Sequence, residues 1–281
     1  MSCNNPLYEL EEQACRETFI KDAEGAGVSY WFYRGLDEAH PTQFFDTETH
    51  TLYLNSRDTL GWTGRKTVEA LKATLSEDYD YLLKTNVSTY LNIGNIVKAL
   101  ETWEGKDDHN IYGGTFIVNE FSKDIPFPRG HLTILSKSLV EGLTKYADKL
   151  AYSDKMPRTD DTLISLATLY FMERDLNERY QEKLKEVPTI KSWNENVPED
   201  PFLDKVFAIR CKDETEKEDT ALHMRDVHKA LNGKKRNISW YKTADVFETG
   251  IGTMNYNNYL LMKRILATIK EIKEKNGDAT D

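Results

Sequence analysis

Two adjacent carboxylates, Asp160 and Asp161, stand directly before an apolar run in which Leu163, Leu166, Ala167 and Tyr170 follow at helical spacing. Carboxylates in the first turn of a helix have two ordinary uses. One is to cap the N–H groups exposed there. The other is acid–base chemistry, since the helix dipole favours the ionised form and leaves it ready to accept a proton near neutral pH. The local sequence fits both uses, and one aspartate can cap while the other reacts. Few other side chains compete for a chemical role. The 3 cysteines, Cys3, Cys15 and Cys211, are odd in number and widely spaced, which predicts free thiols in a reducing compartment and no zinc-type cluster. His223 and His228 are five positions apart, which does not put them on one helical face, so they are not read as a metal pair. No G-x-S-x-G or Walker pattern occurs, which argues against an α/β hydrolase or a P-loop enzyme.

The elements that must position these residues alternate between strand and helix. A helix is expected over 7–25, with Leu7, Leu10, Ala14 and Phe19 on one face and Gly25 and Gly27 closing it. Strands are expected at 28–33, 51–54, 79–84, 113–119, 131–135 and 206–210, where β-branched and aromatic residues cluster. Helices are expected at 63–75, 92–103, 136–150, 160–176, 216–231 and 255–275, and an irregular stretch at 185–201 around Pro188, Pro198 and Pro201. Such alternation predicts an α/β fold with a mostly parallel sheet flanked by helices. Ligands in such sheets sit at the carboxyl ends of the strands, so the loops after Tyr33 and Lys84 are the first candidates.

With 281 residues, 39% of them hydrophobic, the chain is long enough for one large α/β domain or two small ones. A single domain with a helical part at about 213–275 is expected. The net charge of −10 argues against nucleic acid as a partner, because phosphate backbones need a basic field. The stretch MSCNNPLYELEEQ has no signal pattern, and no apolar run is long enough to span a bilayer, so a cytoplasmic protein without a membrane span is expected.

Several segments, in order, resemble the β-1,3-galactosyltransferase and Fringe group of inverting glycosyltransferases, whose fold is GT-A, a Rossmann-like sheet flanked by helices. Arg16-Glu-Thr-Phe19 and the strand ending at Gly35 are similar to that group's opening R-E-T-W and hydrophobic strand. Asp58, Lys66-Thr67 and Tyr79-Asp-Tyr-Leu-Leu-Lys-Thr85 follow its next block. Phe127-Pro-Arg-Gly130, Leu135-Ser136 and Leu139-Val140 are similar to its P-x-x-x-G, L-S and L-V segment. Asp160-Asp161-Thr162 resembles the E-D-V or D-D-T element that supplies the base. The matches cover residues 14–175. Where the group carries its metal-binding D-D-D, this chain reads Asn86-Val87-Ser88, and near the group's C-terminal metal-binding His it reads Arg210-Cys211-Lys212. A hard divalent cation wants carboxylate oxygens, so no metal cofactor is expected.

The resemblance implies transfer of a sugar from a UDP-sugar donor to a hydroxyl of a glycan or glycoprotein acceptor, with inversion. UDP-xylose, UDP-galactose and UDP-GlcNAc are the implied donors. A bacterial setting, or a large DNA virus of the chlorovirus type that builds capsid glycans, suits a member without a membrane anchor. Asp161 is then the implied catalytic base, with Asp160 beside it. Donor-binding roles are implied for Tyr33, Arg57, Asp58, Lys66, Thr85, Asn86, Ser88, Arg158 and Lys212, and acceptor-binding roles for Arg129, Gly130 and His131. Without a metal, cations must hold the leaving diphosphate; Lys66, Lys84, Arg57, Arg158 and Lys212 are the candidates. The competing reading is a degenerate relative that binds a nucleotide or glycan without catalysis.

Overall fold

The computed structural model describes residues 7–103, 110–118, 125–152, 159–187, 189–190, 206–212 and 217–232. The helix expected at 255–275 and the candidate Arg158 lie outside the described residues. The expected helix 7–25 is two helices, α1 (Leu7–Glu17) and α2 (Phe19–Gly25). Between them the buried Thr18 hydroxyl donates to the Ala14 carbonyl at 2.6 Å, a local bond that competes with the helical ladder and bends the chain.

Ten strands form three sheets among the described residues. The first joins β1 (Phe32–Gly35), β2 (Phe44–Asp46) and β3 (Thr51–Leu54) in the order β1-β3-β2. The second, in the order β4-β7-β6-β8, joins β4 (Tyr81–Lys84), β6 (Tyr112–Ile117), β7 (Phe127–Ser136) and β8 (Leu184–Glu186). The third orders β5 (Thr89–Leu91), β10 (Ala208–Arg210) and β9 (Thr189–Ile190) as β5-β10-β9. Strands β8 and β9 fall within or beside the stretch expected to be irregular.

The α/β class is as expected, but the mostly parallel sheet is not. Parallel pairings join β1 with β3, β6 with β8 and β9 with β10. Antiparallel pairings join β2 with β3, β4 with β7, β5 with β10 and β6 with β7. The expectation took every strand-to-strand link for a crossover. The link from β6 to β7 spans only 118–126 and contains no described helix, so the chain doubles back as a hairpin does.

Two apolar layers cover the β4-β7-β6-β8 sheet, and β7 serves both. Leu132 and Ile134 belong to a cluster with α1, α2, β5, β10, α4 (Ile93–Trp103) and α7 (Lys217–Asn232). Leu135 belongs to a second cluster with α3 (Thr63–Thr74), α5 (Lys137–Ala151) and α6 (Asp160–Phe171). Strand β4 alternates in the same way: Tyr81 and Leu83 pack with the first cluster and Leu82 with the second. Lys84 is two residues beyond Leu82 and therefore faces the α6 layer. The 160–176 helix ends as α at Phe171 and continues as a π turn over Met172–Leu176. No helix among the described residues is long and apolar enough to cross a membrane.

The end of β1 is tied to the loop that follows β3. The Leu36 N–H donates to the Ser56 carbonyl at 2.9 Å. A β-carbon on Gly35 would lie 2.5 Å from that carbonyl oxygen and 2.7 Å from the Asp58 backbone nitrogen. Both obstacles are main chain and cannot swing aside. Gly35→Ala is therefore expected to lower stability by about 1–3 kcal/mol through overpacking. Urea unfolding measures this; an unchanged midpoint would show that the 56–58 loop yields freely.

Candidate functional site

Asp160 opens α6 and is buried, and Asp161 follows it with one-fifth of its side-chain surface open to solvent. The residue at the cap position is Thr159, and its hydroxyl bonds Thr162 rather than a backbone N–H. Neither aspartate is therefore the helix cap. Both turn toward the sheet, where the Lys84 ammonium lies 2.6 Å from Asp160 Oδ2 and 2.7 Å from Asp161 Oδ1. This pairing follows from the alternation along β4, which delivers a buried lysine to the face covered by α6. A buried cation is tolerable only when paired, and here it has two partners.

One lysine cannot neutralise two carboxylates equally. Burial works against the charge of Lys84, but Asp160 and Asp161 outweigh it and hold the ammonium protonated well above the ordinary lysine range. Burial also opposes ionisation of Asp160, yet the charge and hydrogen bond of Lys84 prevail and keep it below the usual aspartate range. For Asp161 the balance tips the other way. Burial is the largest influence, and together with the neighbouring Asp160 charge it pushes the carboxyl up to about 6, against the pull of Lys84 and Arg210. Burial thus outweighs the helix dipole in setting the direction of the shift, while a carboxyl at about 6 is still mostly ionised at neutral pH. Two carboxylates with diverging proton affinities are the usual arrangement of an acid–base site.

A second line of contacts holds Asp160. The Thr67 hydroxyl on α3 donates to Asp160 Oδ2 at 3.4 Å and lies 3.2 Å from the Tyr33 hydroxyl. Burial, first, raises the Tyr33 phenol to about 12, so it stays neutral. Tyr33 therefore belongs to the carboxylate group, and its ring also lies 5.9 Å from the Lys66 ammonium. Lys66 is itself buried against Asp58, with 2.5 Å between Nζ and Oδ1.

Asp161 Oδ2, the oxygen that Lys84 does not hold, lies against Gly130. A β-carbon there would lie 3.0 Å from Asp161 Oδ2 and 2.9 Å from the Asn86 amide nitrogen. Gly130 lies within β7 and not in a turn. Without a side chain there, the strand leaves a small recess into which Asn86 and the carboxylate oxygen that Lys84 does not hold close. The loop containing Asn86 is fastened at several points. Thr85 donates to the His131 carbonyl at 2.6 Å, Cys15 Sγ to the Val87 carbonyl at 3.4 Å, and the Cys211 N–H to the Ser88 carbonyl at 2.8 Å.

The structure thus gathers Asp160, Asp161, Tyr33, Asn86 and Gly130, with Thr85, His131 and Ser88 in the framework around them. Asp58 and Lys66 form a separate buried pair next to Tyr33. Arg57 does not join the group: it is exposed, its guanidinium 5.4 Å from the Trp62 ring centre. Arg129 is half-buried on β7 beside Gly130, and Lys212 follows β10 and makes no ion pair with a described residue. Two members were missed as partners of the aspartates, Thr67 and Arg210. Thr67 had a signal, because it shares the sequence block of Lys66. Arg210 had its place at the end of a strand and, through the resemblance, near the position of a metal-binding His.

The loop that stands where the resemblance implies a metal site does not fit a divalent cation. It offers no carboxylate, and its Val87 and Ser88 carbonyls already accept bonds. Among the described residues no group of three or more His, Cys, Asp or Glu is placed to hold a metal ion. Compared with known proteins, the chain matches no family model and no curated protein.

The proton affinities make a stability prediction whose sign is definite. A carboxyl raised in the folded state above its unfolded value stabilises the fold below the unfolded value and loses that contribution as pH rises toward 6. Asp161→Asn, which cannot ionise, is expected to be more stable than the native chain at pH 8 by on the order of 1 kcal/mol or more. The advantage shrinks as pH falls toward 4. Thermal unfolding at both pH values tests this, and an advantage that grows on acidification would contradict the assignment.

Proposed function

We propose that this protein is an inverting glycosyltransferase that moves a sugar from a nucleoside-diphosphate sugar, UDP-xylose, UDP-galactose or UDP-GlcNAc, to a hydroxyl of a glycan or glycoprotein acceptor. The observation that carries the reading is Asp161. One of its oxygens is held by Lys84, while the other is not and lies against the backbone of Gly130, where a β-carbon would crowd it. The order of segments shared with the β-1,3-galactosyltransferase and Fringe group supports the same reading.

In the reaction the acceptor hydroxyl enters beside Gly130 and gives its proton to Asp161 Oδ2. Its oxygen forms a bond to the sugar's anomeric carbon as the bond from that carbon to the diphosphate breaks. The electron pair leaves with the nucleoside diphosphate. A base raised to about 6 is ionised at neutral pH yet has appreciable proton affinity, which suits the transfer. Lys84 holds the carboxylate in one orientation, and Asp160 keeps the lysine charged. Asn86 contributes a hydrogen-bonding group at the recess. We propose that transfer proceeds without a divalent metal, as the donor set of the Asn86-Val87-Ser88 loop favours, and in the cytoplasm.

Incubation with a panel of UDP-sugars and glycan acceptors, with and without EDTA, is expected to release UDP equally in both. Loss of release in EDTA would refute the metal-free proposal. UDP binding without turnover on any acceptor would favour a degenerate nucleotide-binding relative. Asp161→Asn is expected to lower kcat by about 10²–10⁴-fold while leaving donor affinity nearly unchanged. Gly130→Ala should reduce turnover by crowding Asp161 Oδ2, again with UDP binding retained; full activity would show that the acceptor enters elsewhere.

A further inference from the structure

Any anionic donor needs a cation in the site, and the carboxylates already occupy most of those nearby. Lys84 is shared between Asp160 and Asp161, and Lys66 is held at 2.5 Å by Asp58. Both ammonium groups are nearly inaccessible, with 3% of the side-chain surface exposed. Neither can turn to a phosphate without leaving a buried carboxylate uncompensated, which is strongly unfavourable. Arg57 lies over Trp62, and the Arg65 Nε donates to the Ala151 carbonyl at 2.9 Å.

Arg210 differs from all of these. It ends β10, where it is in register with Thr89 of β5, the strand that begins directly after the Asn86-Val87-Ser88 loop. The next residue, Cys211, donates its N–H to the Ser88 carbonyl, so the strand end and the loop are fastened together. The Arg210 side chain is half-buried and makes no hydrogen bond or ion pair with a described residue. Its charge nevertheless acts on Asp161, the carboxylate at the Gly130 recess.

We propose that Arg210 is the cation that receives the diphosphate of the donor, at the seam between the 85–88 loop and β10. The inference rests on the glycosyl-transfer reading and adds to it the group that stabilises the departing diphosphate. A guanidinium is suited to the task because it presents paired N–H donors to phosphate oxygens and stays charged throughout. As the sugar–oxygen bond breaks, the electron pair accumulates on the diphosphate oxygens, where Arg210 stabilises it. The same cation lies near enough to Asp161 to favour its ionised form in the absence of donor. Base and leaving-group site are thereby linked through one side chain.

Calorimetric titration of the full chain with UDP, with inorganic pyrophosphate and with uridine, all in EDTA, tests the assignment. Arg210→Met is expected to bind UDP and pyrophosphate about 10–100-fold more weakly, with uridine affinity unchanged. Lys229→Met, on the exposed side of α7, controls for net charge and should bind as the native chain does. If Arg210→Met does not fold, Arg210→Lys, which keeps the charge but not the fork, should still weaken UDP binding severalfold. A native chain that takes up neither UDP nor pyrophosphate overturns the transfer reading and this proposal with it. A native chain that binds UDP while the Arg210 variants bind it equally well overturns the Arg210 assignment alone. Weakening of the same size in Lys229→Met would overturn it too, because the effect would then be one of overall charge.

Discussion

A lysine ammonium buried between two aspartates is the interaction on which the centre of this molecule depends. It fixes the start of α6 against the end of β4, and so sets the angle at which the helix crosses the sheet. It also makes the two carboxylates unequal. Asp160, buried and further supported by Thr67, stays ionised as the permanent partner of Lys84. Asp161, with one oxygen that Lys84 does not hold, has the raised proton affinity, set first by burial and then by the Asp160 charge. Identical side chains at adjacent positions acquire different roles because one has a second anchor and the other an opening.

The surrounding architecture serves that asymmetry. The layer formed by α3, α5 and α6 excludes water from one side of the sheet, which strengthens every charge interaction beneath it. Tyr33 reaches the group from β1 through Thr67, so the first sheet, which is separate from the second in strand pairing, is still joined to it by hydrogen bonds. Gly35 and Gly130 do related work at two strands. At Gly35 the missing side chain admits the 56–58 backbone, and at Gly130 it admits an oxygen of Asp161 and the Asn86 amide.

Local features were legible in the sequence and long-range ones were not. The apolar spacing of 163, 166, 167 and 170 defines α6, and the Asp160-Asp161 pair marks its start. Strand positions at 51–54 and 81–84 follow from β-branched and aromatic clustering. Strand direction does not follow, because alternation of elements carries no information on whether a link crosses over or turns back, and the 118–126 link turns back. Strands β2 and β5 are three residues each and too short to show a period. Lys84 and Asp161 are 77 positions apart, and nothing local to either announces the other. Their meeting depends on which face of β4 is covered by α6, a property of the assembled sheet. The burial of Lys66 was hidden for the same reason: a lysine in a matching block is held against Asp58, which lies eight positions before it on the loop after β3.

Strand β7 gives its even-numbered residues 132 and 134 to one core and Leu135 to the other, and it carries Gly130 as well. The two runs of β7 that pair with β6 are offset, Thr133 against Gly114 and Pro128 against Phe116, so Gly130 lies where the strand has already absorbed extra residues. A changed count in the regular run 133–136 would instead send Ile134 and Leu135 to the wrong layers, so only the irregular stretch before it can take up a residue without turning the core inside out.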